Sequence, residues 1–297
     1  MARSSAFLWT GFLAFPALVI LLAFSSCTTD RAAHRLASGI TLRTQTQTNP
    51  PLHSFIAEID LANPHVHIRV APGGADPDGP GKWQTTLMQP TRIAAREGFD
   101  LVVNGDFFLA RGVNDGEGTN SHYRADIWAS VEGLAMTDGV VWSPGTNSRP
   151  CLVVHKDRSV SIERLEHPVP DDWEVISGNT MLVEHGAIVP HQNKAHHPRT
   201  IVGLNARRTR LIILVVDGRR PGVSVGMTYD EEAAAMLRLG CWQALNLDGG
   251  GSSVMAARDH ATGTYHILNT PSDGRERAVA NVLGITVNAA NPSRTDH

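Results

Sequence analysis

Cysteine is scarce in this chain: three in 297 residues, at Cys27, Cys151 and Cys241. No CxxC or CxxH spacing joins them, which excludes a structural zinc site of the usual pattern. Nor can the fold be a disulfide framework, although Cys151 and Cys241 could pair in an oxidising compartment or stay as buried thiols. A basic excess is also missing. The formal net charge is -3, which argues against nucleic acid as a partner. There is no GxxxxGK[ST] phosphate loop, so nucleotide binding is not implied. No internal repeat appears, and aromatic residues make up only 6%.

What is present is 42% hydrophobic residues, enough for a sizeable core. The one long apolar run follows Arg3, from Ala6 to Phe24, and leads into Ser25-Ser26-Cys27. That is a secretory signal pattern over residues 1–26. Leu-Ala-Phe-Ser-Ser-Cys resembles a lipobox, with cleavage before Cys27 and lipidation of its thiol; an uncleaved anchor or a soluble secreted product are the alternatives. All three place the body outside the cytoplasm, with membrane attachment through lipid or anchor in two of them. Residues 27–51 read as a tether ending in an edge strand, 52–288 as a single catalytic domain and 289–297 as a tail.

Alternation from His53 to Val70, broken at Asn63-Pro64, predicts a hairpin. A helix is predicted over 89–97, then a strand ending at Asn104. Short strands follow from Ile127 to Leu165 and from Ile176 to Val189. Thr228 with Glu231 forms a capping box for a second helix, stopped at Gly240. Many short strands with few helices imply an α+β fold of twisted mixed β-sheets.

The chemistry-bearing residues collect in five segments at predicted strand ends: Asn104-Gly-Asp-Phe-Phe108, His197-Pro-Arg-Thr200, Asp217-Gly-Arg-Arg-Pro-Gly222, Asn246-Leu-Asp-Gly-Gly-Gly-Ser-Ser253 and Arg275-Glu-Arg277. Singly, several are ordinary turns, since Asp-Gly usually is one. His185, His191, His196 and His197 have no helical or hairpin ligand spacing. Three consecutive glycines, Gly249, Gly250 and Gly251, could be a turn, a linker or a cradle of backbone amides for phosphate, with Ser252 adding a hydroxyl. Arg199, Arg219 or Arg220, and Arg277 are the guanidiniums available to grip such a group.

In order and spacing, the segments from Leu101 to Val287 resemble the phosphodiester glycosidase family, through NGDFF, HPRTIVG, LVVDGRRPGVSVGMT, ALNLDGGGSS and ERAVANVLG. The resemblance implies hydrolysis of a sugar joined through its anomeric carbon to a phosphodiester, releasing the sugar. The substrate would be a GlcNAc-type or related envelope or exopolysaccharide glycan. On that reading Asp248, or secondly Asp217, is the working carboxylate, and Asn104 and Asn246 orient sugar or water. Arg199, Arg277, Arg219, His197, Ser252 and the triglycine amides hold phosphate. No cofactor is demanded, though a divalent cation is compatible. Two other readings remain open: a metal-dependent phosphodiesterase built on Asp106, Asp248 and His197, and a surface carbohydrate-binding lipoprotein without catalysis.

Overall fold

The structure, a computed structural model, describes residues 28–116, 122–145 and 148–288. The signal segment, Cys27 and the C-terminal tail fall outside the described residues.

The centre is a stack of two sheets covered by helices on the outside. One sheet has nine strands, with Pro51–Asp60, Arg210–Val216, Arg199–Leu204 and Gln243–Asn246 adjacent in that order. A five-stranded sheet contains Leu101–Asn104, Asn281–Val287 and Val66–Pro72 side by side. Arg210–Val216 shows why its sequence lacks a polar face. Leu211, Ile213 and Val215 face the second sheet, whereas Ile212, Leu214 and Val216 lie under helix α2 (Tyr229–Arg238). Burying one such aliphatic side chain contributes about 1.5–3 kcal/mol. Helix α1 (Pro90–Glu97) covers the outer face of the second sheet with Ile93 and Ala94.

Local signals set the helix limits as the sequence predicts. Pro90 opens α1 at a position where its missing N–H costs nothing, and Gly98 closes it at φ 74°. Thr228 and Glu231 form the reciprocal capping box of α2.

The α+β expectation holds in its coarser form, with antiparallel ladders predominating and two α-helices among the described residues. Neither helical crossover produces a parallel pair. Arg210–Val216 and Gln243–Asn246, joined through α2, run in the same direction, but Arg199–Leu204 is inserted between them and pairs antiparallel with both. Likewise Val66–Pro72 and Leu101–Asn104, joined through α1, are separated by Asn281–Val287.

Two expectations need correction. Pro51–Asp60 and Val66–Pro72 do not form a hairpin; they lie in different sheets, pairing with Arg210–Val216 and Asn281–Val287 respectively. Alternation fixes which face is buried and not which strand is the neighbour. The supposed tether is folded too: Ile40–Thr48 pairs with Pro51–Asp60 over nine residues, and Ile40 and Leu42 enter the core. Cys151 and Cys241 are buried and free. Among the described residues no helix is long and apolar enough to cross a membrane.

Candidate active site

Each crossover delivers a strand that ends in asparagine and continues into an aspartate two residues on: Asn104-Gly105-Asp106 and Asn246-Leu247-Asp248. The two ends are stitched together across the stack. Asp248 N donates to Gly105 O at 3.0 Å, and Asn104 Nδ2 donates to Asp248 O at 2.7 Å. Asn104 Oδ1 accepts from Thr200 Oγ1 at 2.7 Å and from Val254 N at 3.2 Å. Fully buried, with its Oδ1 accepting twice and its Nδ2 donating to the Asp248 carbonyl, Asn104 ties the Asp248 backbone to the neighbouring sheet. Asn246 is equally buried; its Nδ2 donates to Asn179 Oδ1 at 2.9 Å and its Oδ1 has no partner.

Asp248 has the electrostatics of a working carboxylate. Burial pushes its pKa up to about 6, with a further upward contribution from the charge of Glu132. Three groups oppose the rise: the Ser252 hydroxyl, which faces it without a hydrogen bond of normal geometry, the Gly249 amide at 2.8 Å, and Arg277. Such tuning towards neutrality is what general acid–base work requires.

The triglycine does not form the expected open nest. Gly249 N is taken by Asp248 Oδ1 and Gly250 N by Pro198 O at 2.9 Å. Instead the glycines leave room for side chains. A Cβ on Gly250, which sits at φ 63°, would lie 2.9 Å from Arg219 Nη2, and one on Gly251 would lie 1.9 Å from Arg277 Nη2. Both guanidiniums therefore rest on the loop that carries Asp248. Arg219 has a left-handed backbone, φ 58°, and among the described residues no carboxylate pairs with it. Non-glycine residues rarely hold that conformation, and such strain collects at functional sites. Arg277 is braced by Asp273 at 2.8 Å and lies over the Tyr123 ring at 4.2 Å. Tyr123 in turn packs edge-on against Phe108. A cavity of about 380 Å³ opens here, lined by His122, Tyr123, Asp273, Arg275 and Arg277.

The other sequence candidates are engaged with partners of their own. Arg199 is buried and committed: Nε donates to Met227 O at 2.9 Å and lies 2.8 Å from Glu232 Oε1, with the guanidinium over Tyr229 at 4.3 Å. It supports the loop from beneath, its Cδ 3.7 Å from where a Gly249 Cβ would stand. Burial pushes the Glu232 pKa up in spite of that arginine. Asp217 accepts from Thr270 N at 2.8 Å and Asn269 Nδ2 at 3.2 Å, with Oδ2 buried and unpartnered. Burial raises its pKa as well. Burial, and after it the charges of Arg199, Arg219 and His196, push the His197 pKa below its ordinary value, which works against a positive charge on this ring.

Asp106 is a structural carboxylate. It accepts from Ser177 N at 2.9 Å and from the Asn281 side-chain amide, while its own N–H donates to Asn281 Oδ1 at 2.8 Å. Burial pushes its pKa up to about 7. The trio Asp106, Asp248 and His197 does not gather: among the described residues no group of three or more His, Cys, Asp or Glu is placed to hold a metal ion.

Glu132 and Tyr123 were not identifiable in the sequence. Glu132 is fixed by Arg149 Nη2 at 2.6 Å and by its own N–H, which donates to Phe107 O at 2.9 Å. Its only sequence signal is a charge in an otherwise apolar strand pair, VEGLAM.

Residues 97–286 match the sequence profile of the phosphodiester glycosidase family. The chain belongs to that family. Its fold is shared with the catalytic domain of zebrafish N-acetylglucosamine-1-phosphodiester alpha-N-acetylglucosaminidase, auto-inhibited by its pro-peptide, at a TM-score of 0.59 and 19% identity over 88% of each chain. A candidate exported protein of Burkholderia pseudomallei K96243 superposes at 0.64 and 13% identity, over 89% of this chain and 97% of that one. An SPbeta prophage-derived uncharacterized protein of Bacillus subtilis, YomE, is 42% identical over 90 residues. The matched segment is 30% of this chain and only 13% of that relative's length.

Proposed function

We propose that the protein is an extracytoplasmic phosphodiester glycosidase. It hydrolyses the C1–O bond of a sugar-1-phosphodiester, of GlcNAc type or a related envelope glycan, releasing free sugar and leaving a phosphomonoester on the other partner. The observation that carries this reading is the seating of Arg219 and Arg277 on Gly250 and Gly251, beside a carboxylate tuned to about 6.

The two guanidiniums flank the position for a diester phosphate and offset the repulsion between that phosphate and Asp248. Water adds to C1 and gives up a proton to the Asp248 carboxylate. The C1–O electron pair departs on the phosphate, whose second pKa of about 6 makes it a good leaving group without a strong acid. Glu132, held by Arg149, is the second carboxylate and stabilises positive charge developing at the sugar. Tyr123, standing between Phe108 and Arg277, forms the wall of the cavity. Export follows from the signal-like N-terminus, with Cys27 as the lipidation point.

The test is incubation with a GlcNAc-1-phosphodiester and analysis of products. Free sugar plus phosphomonoester is expected from the wild type. Asp248→Asn is expected to lose turnover while keeping its melting temperature within a few degrees; a folded variant that keeps most activity assigns the carboxylate elsewhere.

A further inference from the structure

A second cavity, of about 530 Å³, lies where the edge strand Val66–Pro72 meets the five-stranded sheet that holds Arg149–His155 and Asp172–Ser177. Its floor includes Val154 and Val160, both buried. Trp173 forms a wall, and around it stand Arg69, Lys156 and Arg158 together with the carboxyl groups of Asp138 and Glu174. This tryptophan is 38% exposed, although so large an apolar ring is usually covered. It is held in place from behind: a Cβ on Gly139 would meet the ring at 2.8 Å, and Gly139 N donates to Trp173 O at 2.8 Å. Lys156 Nζ lies 5.9 Å from the ring and, among the described residues, forms no ion pair. Arg69 bonds Glu97 and Asp138 through its terminal nitrogens, but its Nε is buried without a partner. Arg158 donates to Pro64 O from a left-handed backbone at φ 69°.

An apolar floor, an exposed and braced indole and two rim cations outside any ion pair among the described residues, Lys156 and Arg158, suit one kind of ligand: a sugar ring whose C–H face packs on the indole while an attached phosphate meets those two cations, away from Asp138 and Glu174. The position matters too. Arg149, at one end of its strand, pairs with Glu132, the second carboxylate of the proposed reaction, and His155, at the other end, lines this cavity. Six steps of strand, at about 3.3 Å each, put them about 20 Å apart.

We propose that this cavity is a second glycan-binding site. It holds a distal repeat of the same phosphodiester-linked saccharide whose C1–O bond is cut beside Asp248. The inference rests on the proposed function for the identity of the ligand. It makes the enzyme one that prefers polymeric over monomeric diesters, because occupation of both sites raises the effective concentration of the scissile bond.

Two variants test it, Trp173→Ala and Lys156→Glu, neither of them near the reacting atoms. Binding of a short linear poly(glycosyl-1-phosphate) to Asp248→Asn protein, with and without each variant, is followed by isothermal titration calorimetry, with a neutral glucan of equal length as control. Turnover of polymer and of a monomeric diester is then compared in the active background. The expected result is a loss of about tenfold in kcat/KM on polymer for each variant, unchanged turnover of the monomer, and no comparable binding of the neutral glucan. Equal polymer turnover by folded Trp173→Ala, Lys156→Glu and wild-type protein overturns the proposal, as does equal affinity for the neutral glucan. If the wild type cleaves neither diester, the functional reading fails, and polymer binding lost in both variants still reports the site.

Discussion

Asn104 holds Asp248 by its backbone: the side-chain amide at the end of one sheet's strand donates to the carbonyl of the aspartate at the end of the other, at 2.7 Å. The bond crosses 144 residues of sequence and joins the first and fourth motifs. Replacing Asn104 with Ala should strand Thr200 Oγ1, Val254 N and Asp248 O without their partner, at a cost of about 1–3 kcal/mol for a buried unsatisfied group. Activity should fall further than stability, because the carboxylate loses its anchor. A calorimetric scan beside a kcat/KM measurement separates the two effects.

Arg277 lowers the pKa of Asp248, so its removal should raise it. If ionised Asp248 takes the proton from water, kcat/KM of the wild type rises with pH through a limb near 6. In Arg277→Met that limb should move to higher pH, and the plateau should drop with the loss of a phosphate contact. A pH–rate profile on a monomeric diester measures both. A limb that moves down, or stays in place, contradicts the assignment of that limb to Asp248.

Gly251→Val should be more damaging than its neighbourhood suggests. Even its Cβ would lie 1.9 Å from Arg277 Nη2 and 2.4 Å from Asp273 Oδ1, so the guanidinium must leave the loop. Gly250→Val adds backbone strain at φ 63° to a clash with Arg219. Both variants should lose turnover, and Gly250→Val should also melt lower. Full activity in either would mean that the arginines do not need their seats.

Asp106→Asn should act on stability and pH response. The folded-state pKa of Asp106, about 7, lies above the ordinary carboxylate value of 3.8. The folded protein therefore binds this proton more tightly than the unfolded chain does. The stabilising contribution is complete below about pH 4 and is lost as pH rises through about 7. Wild-type melting temperature should carry that decline, and Asp106→Asn, which cannot titrate, should lack this part of it. Asn also places a donor where Ser177 N and the Asn281 amide already donate, so the variant should melt lower at every pH.

The five motifs could be read in the sequence because each sits at a strand end with a glycine or asparagine that interrupts an apolar run. Asp248 stood out for that reason, and so did the capping box of α2. Partner choice could not be read. Alternation in His53 to Val70 fixed the buried face of two strands that prove to belong to different sheets. Triglycine was ambiguous for a physical reason: freedom of φ and absence of Cβ suit an amide nest and a close side-chain approach equally, and only the placement of Arg219 and Arg277 decides between them. Arg199 looked like a phosphate ligand because charge is visible in a sequence and its neutralising partner, Glu232 on α2, is visible only in the fold. Glu132 and Tyr123 had no motif at all. They reach Asp248 through the turns that follow distant strands.

The central claim is that this site breaks a carbon–oxygen bond and leaves phosphorus untouched. Hydrolysis of a GlcNAc-1-phosphodiester in 18O-labelled water, followed by mass spectrometry of both products, tests it most directly. The account predicts label in the released sugar and none in the phosphomonoester; label in the phosphate would contradict it and assign the chain to P–O cleavage.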